Sequence, residues 1–170
     1  MSIITIILLA VSLSLDAFSV SLAYGMMNFS NKKIFFISAL VGIFHFFMPI
    51  LGILIGEKLL NIINIDPKYI ITIIFSLIIL EMIKSLKEDG IESKIGVKEA
   101  FLFAFAVSLD SFSVGVGLAF LESNIFLCCL MFTISSFLFT FVGFKIGKFI
   151  NKKIGKISKI IGIILLIILV

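Results

Sequence analysis

Two aspartates, Asp16 and Asp110, stand in the middle of long apolar stretches, each within the same local sequence. Residues Ala10 to Ser21 read AVSLSLDAFSVS, and residues Ala104 to Gly115 read AFAVSLDSFSVG. At an offset of 94, Ser14 matches Ser108, Leu15 matches Leu109, Phe18 matches Phe112, Ser19 matches Ser113 and Val20 matches Val114. A carboxylate at membrane depth is costly and rare, so two at matching positions point to function. Brought face to face, they would offset the charge of a divalent cation, with the Ser19 and Ser113 hydroxyls, freed carbonyls and water completing an oxygen-rich shell. Without the ion, two close carboxylates cannot comfortably both stay ionised, and protons then compete with metal for the same oxygens. That competition is a sufficient basis for antiport. His45, the single histidine, is a further candidate as ligand, proton relay or hydrogen-bonded packing residue.

The elements that must position these groups are membrane helices. The 170 residues are 61% hydrophobic and only 14% charged, with a mean hydropathy of +1.32, far from the balance of a soluble domain. Apolar runs recur at about 3–27, 34–56, 69–86, 100–121, 125–146 and 157–170. Most approach the roughly 20 residues a helix needs to cross about 30 Å of hydrocarbon, and none shows the alternation of a barrel strand. The expected fold class is an all-α integral membrane protein with six transmembrane helices. The first run lacks a basic leader and carries Asp16, which argues against a signal peptide. The sixth run spans only about 21 Å, so either Lys156 and Lys159 snorkel or the sequence stops short of the full span.

All fourteen basic residues are lysine. With the N-terminus outside, twelve of them fall at inner loops and only Lys58 and Lys68 outside, so both termini are expected to be extracytoplasmic. The net charge of +4 is then a topogenic bias and no sign of nucleic-acid binding. Cys128 and Cys129 are adjacent, a spacing that excludes a CxxC site and suits buried packing thiols. Glu81 is expected near the inner end of the third run, where pairing with Lys84 or Lys87 is favoured over a role as a midplane ligand.

In the first run, Ser12, Asp16, Ser19 and Ala23 share one helical face, and Ala10, Ser14, Ala17 and Ser21 share the opposite one. The fourth run repeats this with Ala106, Asp110, Ser113 and Gly117 against Ala104, Ser108, Ser111 and Gly115. The second run carries Ser38, Gly42, His45, Pro49, Gly52 and Gly56, and 91 residues on stand Cys129, Thr133, Ser136, Thr140, Gly143 and Gly147. Each of these stripes ends in GxxxG, a close-packing signal. Gly52, Gly56, Gly115, Gly117, Gly143 and Gly147 are therefore expected at helix contacts. Three helices per repeat is an odd number, so the second half must run inverted. The expected architecture is a 3+3 inverted-topology repeat, with residues 1–86 as the first half, 87–98 as a cytoplasmic linker and 99–170 as the second half. Such repeats are associated with transporters whose sites lie near the midplane.

The motifs SLDAFSV and AVSLDSFSVGVGLAFLESNI, with FxxxMPxLGxxIG in the second run and VGFKIGKFINKKIGK late in the chain, resemble the MntP family of manganese efflux pumps. The resemblance covers essentially the whole chain. It implies a six-helix, multi-pass exporter of Mn²⁺ in the plasma membrane, with Asp16 and Asp110 matching the family's two intramembrane aspartates. Mn²⁺ is then transported substrate, no cofactor is implied, and protons are the expected coupling ion. His45 stands where the family more usually has an amide or an acid, a substitution that bears on metal preference. Two alternatives come from other classes. An intramembrane aspartyl protease also places one aspartate on each of two helices, but the GxGD signature is absent. A sporulation or assembly protein sharing the first motif would tolerate asparagine at both aspartates.

Overall fold

The computed structural model describes residues 1–27, 29–62, 96–118 and 124–154, together with positions 160 and 164. The third apolar run, nearly all of the sixth, Glu81 and most of the linker lie outside the described residues. Among the described residues there are five helices: α1 (Ile3–Gly25), α2 (Asn31–Ile62), α3 (Val97–Val107), α4 (Leu109–Leu118) and α5 (Ile125–Ile154). The helices α3 and α4 together make up the fourth apolar run. Four spans, Ile3–Gly25, Asn31–Leu54, Val97–Leu118 and Ile125–Lys153, are long and apolar enough to cross a membrane. Large side chains such as Leu8, Leu54 and Phe126 stand more than 60% exposed, which water would not favour and lipid tails would.

Helix α1 begins where Ser2 caps it, its hydroxyl accepting from the Thr5 amide at 3.2 Å. Position 2 can do this because serine reaches back to an amide that has no intrahelical partner. The helix ends at Met26, whose amide turns back to Ala23 O. Its buried residues Ile6, Ala10, Leu13, Ala17, Val20 and Tyr24 recur every three or four positions, as one helical face must.

That face packs on α5. Ser14 meets Ser136, Gly143 meets Ser21, and Gly147 meets Gly25, so the two helices run parallel in constant register. At the interface, the Ser14 hydroxyl donates to Ala10 O at 2.6 Å and to Ser135 Oγ at 2.8 Å. A bond to Ser136 at 3.2 Å completes the set. Such bonds hold helices together in lipid, where apolar burial contributes little.

The second close pair is α2 with α3 and α4. Phe44 packs edge-on against Phe101 at 4.8 Å and Phe105 at 6.2 Å. Further along α2, Pro49 lies against Gly115, and Gly52 against Phe112 and Val116. Only glycine allows these approaches. A Cβ at Gly52 would meet Phe112 O and stand 3.0 Å from Val116 N, and one at Gly143 would stand 2.8 Å from Phe18 O and 3.2 Å from Leu22 N. Phe112 and Val116 are the counterparts of Phe18 and Leu22, and Gly52 is the counterpart of Gly143. The same atoms therefore meet in both pairs.

One end of the bundle is closed by an aromatic cluster. Tyr24 stacks on Phe103 at 5.1 Å, Phe29 meets Tyr24 edge-on at 5.1 Å, and Phe144 lies 5.5 Å from Phe103. All four rings are buried, joining α1, α3, α5 and the chain leading into α2.

Candidate metal-binding site

The fourth apolar run is not one helix. It breaks at Ser108, which has φ −104° and ψ 4° and turns its amide back to Phe105 O and Ala106 O. The Ser108 hydroxyl donates to Ala104 O at 2.8 Å and to Phe105 O at 3.1 Å. On the far side, Ser111 Oγ donates to Ser108 O at 2.6 Å. These hydroxyls occupy carbonyls around the break, which lowers the cost of interrupting a helix at membrane depth. Ser14, the counterpart of Ser108, makes the same bond four residues back, yet α1 runs through it unbroken.

The break puts Asp110 in the first turn of α4. There its Oδ1 accepts the Ser111 amide at 2.7 Å, the favourable place for an acid at the positive end of a helix. Its Oδ2 is buried and has no hydrogen-bond partner. Asp16 lies close enough to Asp110 for the two carboxyl groups to interact electrostatically. The two repeated aspartates are thus brought together, on unlike supports. Asp16 projects from the middle of a continuous helix and is exposed, and Asp110 is half-buried at a helix start.

The other candidate residues divide. Ser19, one turn from Asp16, is half-buried and spends its proton on Leu15 O at 2.9 Å, which leaves its oxygen lone pairs for another partner. Ser113, one turn from Asp110, is exposed. His45 is fully buried on α2, with Nδ1 at 2.9 Å from Val41 O and Nε2 without a partner. A carbonyl only accepts, so Nδ1 carries the hydrogen and the neutral ring has its lone pair on Nε2. Among the described residues, no three of His, Cys, Asp and Glu gather at metal-holding distance. His45 is therefore not assembled with the two aspartates.

Among the glycines expected at helix contacts, Gly52, Gly115, Gly143 and Gly147 each lie against neighbouring backbone. Gly117 does not: a Cβ there would meet nothing within 4 Å. Two residues past Gly115 it has turned about 200° round the helix, onto the exposed face. Gly56 belongs to α2. Cys128 and Cys129 are both buried and neither forms a disulfide.

Among the described residues the aspartate pair gathers no histidine or cysteine, and carboxylate oxygens suit Mg, Ca or Mn better than Zn or Cu. Comparison with known proteins points the same way. The profile of a family described as "Mntp: Putative manganese efflux pump" matches residues 28–170. A relative from Bacillus pumilus, named "Putative manganese efflux pump MntP", is 35% identical over 167 residues, covering 96% of this chain and 90% of the relative. Its namesake from Oceanobacillus iheyensis is 37% identical over 163 residues, covering 94% of this chain and 89% of the relative. One from Bacillus cereus is 34% identical over 168 residues, covering 96% and 91%. No solved structure matches. That family is one of metal efflux transporters and not of enzymes. With helices apolar enough to span a membrane and a match over nearly its whole length, the chain belongs to the MntP family.

Proposed function

We propose that this chain exports Mn²⁺ across the cell membrane in exchange for protons, with Asp16 and Asp110 as the shared site for both. The observation that carries the reading is the meeting of the two carboxyl groups, one of them with a buried oxygen that has no donor. Two carboxylates offset the double charge of the ion. Ser19 and Ser113 contribute hydroxyl oxygens, and water completes the shell. Mn²⁺ is cargo here, so the site must also release it, and the exposure of Asp16 favours exchange over permanent retention.

Expelling two positive charges against an inside-negative potential costs about 4.6 kcal/mol per 100 mV. Exchange for two protons is electroneutral and removes that cost, and two carboxylates supply two proton sites. The proposed frame is six helices in a 3+3 inverted repeat with both termini outside, divided at residues 86 and 99 by the inner linker. Its support is the matching packing of Gly52 on Phe112 and Val116 and of Gly143 on Phe18 and Leu22, at the same offsets as the sequence repeats. His45 lies outside this ligand set, as a packing residue on the α2 stripe.

The test is Mn²⁺ transport by the purified protein in liposomes with an imposed pH gradient. Asp16→Asn and Asp110→Asn should each reduce transport to background while leaving folded protein at the wild-type level. Retained transport in either variant refutes the shared site. Transport that ignores the pH gradient refutes the coupling.

A further inference from the structure

Far from the aspartates, the start of α2 and the last turns of α5 enclose a cleft of about 230 Å³ lined by Asn31, Lys145, Lys148, Phe149 and Lys152. The three lysines are spaced three and four residues apart, on one face of α5, where like charges repel one another. Among the described residues, what they touch does not balance them. Lys145 Nζ donates to Asn31 Oδ1 at 3.2 Å, and Lys148 Nζ donates to Phe29 O at 2.6 Å and to Asn31 Oδ1 at 3.4 Å. Each acceptor is neutral. The Asn31 oxygen draws two ammonium groups to the same wall of the cleft, and the positive end of α2 adds to the field there.

The outer edge of the cleft is apolar. Phe149 stands 57% exposed, with the Lys153 ammonium 4.7 Å above its ring, and Lys145 lies 5.3 Å over Phe141. A cationic cleft with an aromatic lip, at the end of the bundle that lysine asymmetry assigns to the cytoplasm, fits an amphiphile with an anionic head. We infer that this cleft binds the phosphate of an anionic phospholipid from the inner leaflet, with Lys145, Lys148 and Lys152 around the phosphate and Phe149 along the start of the acyl region. Basic pockets between helices on the cytoplasmic side are a recurrent means of holding such headgroups. The lipid would bridge α2 and α5.

The experiment is native mass spectrometry of the full chain released from micelles, titrated with phosphatidylglycerol and with phosphatidylcholine. The wild type should retain phosphatidylglycerol preferentially. Lys148→Gln with Lys152→Gln should weaken that binding at least tenfold more than Lys32→Gln with Lys98→Gln, which removes the same charge from exposed positions outside the cleft. Equal losses in the two double variants would mean a diffuse field and overturn the site. Equal retention of the two lipids overturns it as well. Displacement of the lipid by millimolar inorganic phosphate would assign the cleft to free phosphate and overturn the lipid assignment. If the Lys148 variant does not fold, Lys152→Gln alone, at an exposed side chain, should still lose more than Lys32→Gln alone.

Discussion

Gly143→Ala probes the packing that brings α1 to α5. The added Cβ would stand 2.8 Å from Phe18 O and 3.2 Å from Leu22 N, and would also meet Ser21 Oγ, where ordinary contact begins near 3.4 Å. The obstacle includes backbone of α1, so no side-chain rotation relieves it. The helices must part by roughly 0.6 Å to clear Phe18 O, and a gap of about 0.5–1 Å forfeits a quarter to a half of each dispersion contact along the seam. The Ser14 bonds to Ser135 and Ser136, at 2.8 and 3.2 Å, lengthen with it. Overpacking of this kind costs about 1–3 kcal/mol and a weakened hydrogen bond about 1 kcal/mol, while alanine regains about 1 kcal/mol of helix propensity. The expected net loss is about 2 kcal/mol, or a fall of about 4–8 °C in Tm for a chain of this size. Thermal unfolding in a single detergent, followed by circular dichroism, measures it. Gly52→Ala, which meets Phe112 O and stands 3.0 Å from Val116 N, should fall by a similar amount. Gly117→Ala, with nothing within 4 Å, should instead stabilise by up to about 1 kcal/mol. A Gly143→Ala protein as stable as wild type, or a Gly117→Ala protein as damaged as Gly143→Ala, would refute the reasoning.

Three further outcomes are expected. Apparent Mn²⁺ affinity in the detergent-solubilised protein should weaken as pH falls, because protons occupy the same carboxylate oxygens; below the range in which both groups are ionised, the slope should approach about 100-fold per pH unit if two protons are released per ion and about tenfold if one is. His45→Gln should leave selectivity between Mn²⁺ and Zn²⁺ unchanged within about twofold in competitive transport, since the imidazole is not gathered with the aspartates; a marked change would make it a ligand. Phe103→Ala, at the centre of the buried aromatic cluster with Tyr24 and Phe144, should cost about 3–5 kcal/mol, read as loss of the folded fraction in a detergent denaturation series.

The helical membrane class, the duplicated aspartates and the stripes of small residues were legible along the chain because each depends on local pattern. Hydropathy marks a span wherever water is absent, and a turn of about 100° per residue puts positions three and four apart on one face. Ser14 and Gly143 could therefore be assigned to packing faces with no partner known. Gly117 shows where that reasoning stops. Its type is right for close packing, but its face meets no neighbour, and only the position of another helix decides that.

The break at Ser108 was not legible, because Ser14 has the same identity, the same flanking leucine and aspartate, and the same bond four residues back, within a continuous helix. Whether a serine hydroxyl merely decorates a helix or helps interrupt it depends on what packs against it. The same holds for His45, whose place on a polar stripe left ligand, proton relay and packing residue all open and whose burial is set by what packs around α2. It holds too for Lys145, Lys148 and Lys152, which read along the chain as topogenic charge and line one cleft with Asn31 only because the start of α2 lies beside the last turns of α5. The sequence by itself determined the chemistry this protein carries and the faces that carry it, because those follow from residue type and helical period. The tertiary structure alone decided which faces meet, because contacts between residues far apart in the chain are set by the joint packing of all the helices.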